Sequence, residues 1–122
     1  MVSKAAQLER IVRELHQLPQ VIGAVLVSRG GIIIASSTSE EAHAETFAAM
    51  GATMSGAASA ALSEFNKVGP EKIFVEGRDC IMLAMDAGPK AILVILKEGK
   101  DGAQELLASV EVASRLIKET LS

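Results

Sequence analysis

From Thr46 to Ser63 the chain runs 18 residues without a charged side chain, and all but four of them are Ala, Gly, Ser or Thr. That length approaches a bilayer span. The composition argues against one, because Phe47, Met50, Met54 and Leu62 are its only large apolar side chains, whereas insertion is driven by Leu, Ile, Phe and Val. The stretch therefore reads as a helix of a folded domain, with two stripes at helical spacing. Phe47, Met50, Met54, Ala58, Ala61 and Phe65 form one wide enough to pack on a sheet. Ala48, Ala52, Ser55, Ser59 and Ser63, flanked by Gly51 and Gly56, form a second with almost no bulk. This second stripe has two readings: close approach of another backbone, or a solvated face built from the best helix former. A solvated face normally carries Lys and Glu, so the lack of charge favours burial against a partner.

The remaining segments alternate in period. Leu8, Ile11, Val12 and Leu15 share one face of a first helix over Lys4–Gln17, with Ser3 as N-cap and Pro19 as its stop. Val21–Val27 is apolar at nearly every position and suits a strand covered on both faces. Gly30-Gly31 reads as a two-residue hairpin turn at positive φ, leading into a second strand over Ile32–Ala35. Ser36–Ser39 reads as a polar break, with Thr38 and Glu41 as a capping box opening the central helix. After Gly69-Pro70 come three strands joined by tight turns: Ile73-Phe74-Val75, which reads as an edge, then Cys80–Asp86 and Lys90–Lys97. A last helix carries Leu106, Val110, Ala113, Ile117 and Leu121 on one face, with Asp101 as N-cap.

The order is thus α-β-β-α-β-β-β-α, with strand links short enough for antiparallel pairing. Two strands apolar on both faces require helices on both sides. The expectation is a mixed α/β (α+β) chain folded as a three-layer α/β/α sandwich around one five-stranded antiparallel sheet. The 122 residues, 49% of them hydrophobic, suffice for a single domain over 1–122 without a metal or disulfide.

Several functions are disfavoured. Twelve Lys and Arg against fifteen Asp and Glu, with no Trp or Tyr, provide neither the basic surface nor the stacking rings of a nucleic-acid binder. No glycine run precedes Lys-Ser or Lys-Thr at a helix start, so no phosphate loop is expected. His16 and His43 have no further ligands at metal spacing and read as solvated or capping residues. Cys80, the only cysteine, reads as a largely buried, inert thiol. The serines of the central helix lack a nucleophile elbow. No catalytic residue, metal or cofactor is assigned. The start Met1-Val2-Ser3-Lys4 leads into a charged amphipathic stretch instead of a signal peptide, which points to the cytoplasm.

The run Gly23-Ala24-Val25-Leu26-Val27-Ser28-Arg29-Gly30-Gly31-Ile32-Ile33-Ile34-Ala35-Ser36 resembles the first hairpin of the Roadblock family. The small-residue helix Ala44–Phe65, Lys72-Ile73-Phe74-Val75-Glu76-Gly77 and Ala91-Ile92-Leu93-Val94-Ile95-Leu96 follow in the family's order and spacing. That family includes dynein light chains and prokaryotic regulators of small GTPases. The resemblance implies a Roadblock/profilin-like sheet ordered 2-1-5-4-3, the first and last helices on one face and the central helix on the other. It also implies a homodimer in which the third strands pair and the central helices pack together, placing Ala48, Ala52, Ser55, Ser59, Ile73, Phe74 and Val75 at the interface. The implied function is a non-catalytic platform for a Ras-like or Arf-like GTPase, its docking residues unassigned. Arg29 and Arg78 are the arginines expected on exposed turns, as solvated charges before arginine fingers. A small-molecule sensing module is the alternative function, with direct membrane insertion expected in neither.

Overall fold

The computed structural model describes residues 2–122, so Met1 of the expected cytoplasmic start lies outside the described residues. Its elements are α1 (Lys4–His16), β1 (Val21–Ser28), β2 (Ile33–Thr38), α2 (Ala44–Ser63), β3 (Lys72–Glu76), β4 (Cys80–Asp86), β5 (Ala91–Glu98) and α3 (Ala103–Leu121). The five strands form one antiparallel sheet in the order β2-β1-β5-β4-β3.

Alternation along the two central strands builds both faces of the core. Ala24 and Leu26 of β1 and Leu93 and Ile95 of β5 meet Leu8, Ile11, Val12 and Leu15 of α1 and Leu106, Val110, Ala113 and Ile117 of α3. Val25, Val27, Ile92 and Val94 point the other way, to Ala48 and Ala52 of α2. Each such fully buried Leu, Ile or Val stabilises the fold by roughly 1.5–3 kcal/mol. Ser3 caps α1 as expected, its Oγ accepting the Ala6 N–H at 3.1 Å.

Local chemistry differs from the sequence expectation at four places. The first hairpin is not a two-residue turn: Gly31 N–H donates to Ser28 O at 2.9 Å and Ser28 N–H to Ile32 O at 2.8 Å, and only Gly31 takes a positive φ, of 91°. The three-residue turn closes on a left-handed glycine, and a separate bulge at Ile34 follows it on β2, seen as the register shift between Leu26 and Val27. Second, Ser36–Thr38 continue β2 instead of breaking it, because an edge strand tolerates small polar side chains. Third, Thr38 forms no capping box. Its Oγ1 accepts the Glu40 N–H at 3.0 Å and donates to Ile22 O, and a 3-10 turn over Glu41–His43 precedes α2. Fourth, α3 begins after Gly102, at φ 77°, so Asp101 falls one residue before the cap.

The largest correction concerns α2, whose bulk-free stripe faces the chain's own sheet. Ala44, Ala48, Gly51, Ala52 and Ser55 are its buried residues, while Met50 and Phe65 of the larger stripe turn outward and Phe47 and Met54 flank the contact. The cause is the sheet surface beneath. A Cβ on Gly51 would lie 2.7 Å from Val94 Cγ2, so the valine-rich face leaves room only for small residues.

Candidate interaction surface

Because the small stripe is spent on the sheet, the outward side of α2 consists of what remains of a charge-free helix. Thr46, Met50, Thr53, Gly56, Ala57, Ser59, Ala60, Ala61 and Ser63 are exposed there. Met50 is 55% exposed, and past the helix end Phe65 is 78% and Val68 100% exposed. A lone chain thus leaves Met50 in water on a helix side without the charges that keep a helix soluble, while Phe65 and Val68 stand exposed beside Glu64 and Lys67.

The neighbouring edge strand supplies a second element. Asp86 N–H donates to Glu71 O and Gly77 N–H to Cys80 O, each at 2.9 Å. These bonds fix the ladder phase so that Ile73 and Val75 exchange hydrogen bonds with Ala84 and Met82, while Lys72, Phe74 and Glu76 turn their backbone groups to the open side. Phe74 and Val75 are exposed, and Ile73 packs half-buried against the α2 side of the core. Both ends of β3 carry ion pairs, Lys72 with Glu111 at 3.9 Å and Lys100 with Glu76 at 3.3 Å.

Of the residues expected at a self-interface, Ser59 and Val75 are exposed on the α2 side with Ile73 half-buried beside them, and Phe74 is exposed at the same edge on the opposite sheet face. Ala48, Ala52 and Ser55 do not: the sheet already encloses them. Helical period separates two stripes but carries no sign telling which turns inward, and the sign came from Val25, Val27, Ile92 and Val94 on strands distant in sequence.

The other singled-out residues have defined roles. Arg29 is a clamp rather than a free turn charge: it pairs with the Asp86 carboxylate and donates to Gly88 O at 2.8 Å and Pro89 O at 2.9 Å, joining the β1–β2 turn to the β4–β5 turn. Arg78 is exposed on the β3–β4 turn. His16 binds two hydroxyls across the α1–β2 contact, Ser37 Oγ at 2.8 Å from Nδ1 and Ser39 Oγ at 3.0 Å from Nε2. His43 is exposed at the start of α2 and makes no side-chain cap. Cys80 is half-buried, less enclosed than expected, because it opens β4 beside the Gly77 turn. One group escaped the sequence reading: Lys97 is buried on β5, its ammonium donating to Gln20 Oε1 at 3.1 Å and Glu98 O at 3.0 Å, the hydrogen bonds that make a buried charge tolerable.

A cavity of about 260 Å³ lies between the start of α2 and the sheet, lined chiefly by apolar side chains including Ile22, Val25, Phe47 and Leu96, with Glu40 and His43 at its polar side. Among the described residues no cluster of three or more His, Cys, Asp or Glu is arranged to hold a metal, and no helix is long and apolar enough to cross a membrane.

A family profile described as Roadblock/LC7 domain matches residues 7–97, more than half of the chain. The uncharacterized protein MJ0714 of Methanocaldococcus jannaschii is 34% identical over 95 residues, which are 78% of this chain and 80% of its own length. Among solved structures, Myxococcus xanthus MglB superposes with a TM-score of 0.90 at 14% identity, covering 99% of this chain and 92% of that one. The Roadblock/LC7 domain from Streptomyces avermitilis superposes with a TM-score of 0.84 at 20% identity, covering 93% and 96%. At these identities the two structures speak for the fold alone.

Proposed function

This chain belongs to the Roadblock/LC7 domain family, and from that premise we propose that it is a non-catalytic, cytoplasmic homodimeric adaptor that docks a small Ras-like or Arf-like GTPase. The observation that carries the reading is the charge-free outward side of α2, which with Phe74 and Val75 of β3 leaves apolar surface that a second copy would cover. Pairing there would close the β3 edge and bury more than the roughly 1,000 Å² that marks a biological interface. Ser59 and Val75 on the α2 side of the sheet, with Ile73 beside them, and Phe74 on the opposite face of β3 are the contact residues. The adaptor's work on the GTPase is placement: a rigid docked surface orders switch loops without contributing a reacting group. Arg29 is committed to its clamp, which leaves Arg78 as the freer turn arginine.

The test passes candidate small GTPases, loaded with GTP or GDP analogues, over the immobilised protein. The expected result is binding that depends on the nucleotide; no nucleotide-dependent binding to any GTPase of the same cell overturns the reading.

The cavity beside His43 supports a second reading, a small-molecule sensor. At about 260 Å³ it falls just below the roughly 300–1,000 Å³ of ordinary ligand sites. A metabolite that raises the melting temperature in proportion to its concentration would favour this reading over docking.

A further inference from the structure

On the α1–α3 side of the sheet a second cavity, of about 300 Å³, opens between the α1–β1 loop and the first turns of α3, and Lys97 stands in its wall. Lys97 is 5% exposed, and its strand partners Val21 and Ile81 belong to the core on that side. Its ammonium donates to Gln20 Oε1 and to Glu98 O, both neutral acceptors. Lys97 takes part in no ion pair among the described residues. Two hydrogen bonds make the buried charge tolerable, yet they leave its third N–H without an acceptor and its charge without a counter-charge.

The rest of the wall has a definite polarity. Leu18, Pro19 and Leu106 give it apolar surface. Gln20 accepts from Lys97 through Oε1, which leaves the Nε2 hydrogens of the same amide as donors. At the mouth stand two exposed carboxylates, Asp101 and Glu105, and neither has an ion-pair partner among the described residues. A Cβ on Gly102 would lie 3.8 Å from Glu105 Oε2 and 3.9 Å from Lys97 Cε. The carboxylate and the lysine stem thus flank one point, which the glycine keeps clear of side chain. The cavity carries a buried positive charge at its wall, negative charge at its mouth and apolar surface between.

We propose that this cavity binds a free α-amino acid with an aliphatic side chain. The ligand's carboxylate accepts from Lys97 Nζ and Gln20 Nε2, its ammonium donates to Glu105, and its side chain lies against Leu18, Pro19 and Leu106. Charge selects this class. A plain carboxylate or phosphate would pair with Lys97 but meet Asp101 and Glu105 as like charges, and a plain amine would pair with those two but meet Lys97 as a like charge. A zwitterion answers both ends with charge-assisted hydrogen bonds. Size limits the side chain, because about 300 Å³ is the lower end of the roughly 300–1,000 Å³ of ordinary ligand sites. The site lies on the face opposite α2, so it is separate from the cavity beside His43 and needs neither the dimer nor a docked GTPase.

The experiment is isothermal titration calorimetry of the full chain with L-leucine and L-valine. The controls are isocaproate, which is leucine without its ammonium group, and isopentylamine, which is leucine without its carboxylate. The expected result is saturable one-site binding of at least one of the amino acids, with each leucine analogue bound at least about tenfold more weakly than leucine. Lys97→Met should abolish binding, with circular dichroism confirming that it is folded. Glu105 is exposed, so Glu105→Gln keeps the fold and serves as the second variant; it should weaken leucine about tenfold and leave isocaproate unchanged. Three results would each overturn the proposal: no saturable binding of either amino acid, isocaproate bound as tightly as leucine, or an unchanged leucine affinity in Glu105→Gln. The last two would mean that Glu105 does not hold an ammonium group.

Discussion

The two faces of the sheet are covered in opposite ways. On one, α1 and α3 bring Leu8, Ile11, Leu15, Leu106 and Ile117 inward and hold Glu9, Arg10, Arg13, Glu111, Arg115 and Glu119 in water. On the other, α2 brings Ala48, Gly51 and Ala52 inward and shows water no charge at all from Thr46 to Ser63. The first layer is the usual amphipathic solution. The second reverses it, with the bulk of the contact supplied by Val25, Val27, Ile92 and Val94 and the helix reduced to fit. A helix thinned on its inner side and uncharged on its outer side packs on the sheet within the chain and, in the proposed dimer, against a second copy outside it.

Substitutions can break or sharpen that contrast. The largest effect is expected from Ala52→Glu, which puts an unpaired carboxylate between α2 and the sheet and should cost about 3–5 kcal/mol, read as a lower urea midpoint. Were Ala52 on a partner-facing surface, stability of the isolated chain would instead be nearly unchanged. Gly51→Ala comes next. Its Cβ meets Val94 Cγ2 at 2.7 Å, and overpacking of about 1–3 kcal/mol outweighs a helix-propensity gain of about 1 kcal/mol. Val94→Ala should cost less in the Gly51→Ala background than alone, a coupling that a double-mutant cycle measures. On the opposite layer His16→Ala removes two hydrogen bonds between α1 and β2, and a loss of about 1–2 kcal/mol is expected in the same urea titration. The smallest effect belongs to Met50→Lys on the outer side of α2, within about 0.5 kcal/mol for the dilute chain.

The element order, the Ser3 cap of α1 and the two-sided burial of β1 and β5 were legible in the sequence, because each depends on local period or on a few adjacent residues, whereas the sheet order came only with the resemblance to the Roadblock family. Gly31 shows where legibility stops: the glycine pair marks the turn, but whether the turn spans two residues or three is set by the register in which the flanking strands pair. The reading found α2 and β3 as elements but turned α2 by roughly 100° about its axis. Ala48, Ala52 and Ser55 are small whichever way they point, and the sheet residues that fix their direction lie some 20 residues before or 40 after. The His16 clasp and the Arg29 clamp were illegible for the same reason, since Ser37 and Asp86 are brought to them only by the completed sheet.

The central claim is that the outer side of α2 and the β3 edge join two copies of this chain. The most direct measurement is the solution mass of wild type beside a Ser59→Arg, Phe74→Glu double variant, by size exclusion with light scattering and refractive-index detection, since the chain has no Trp or Tyr. Both positions are exposed in the single chain, so the variant should keep its fold and its circular dichroism. The account expects the variant's mass to be half that of wild type at equal concentration, reaching one chain of 12.7 kDa on dilution. A folded double variant with the wild-type mass would contradict it.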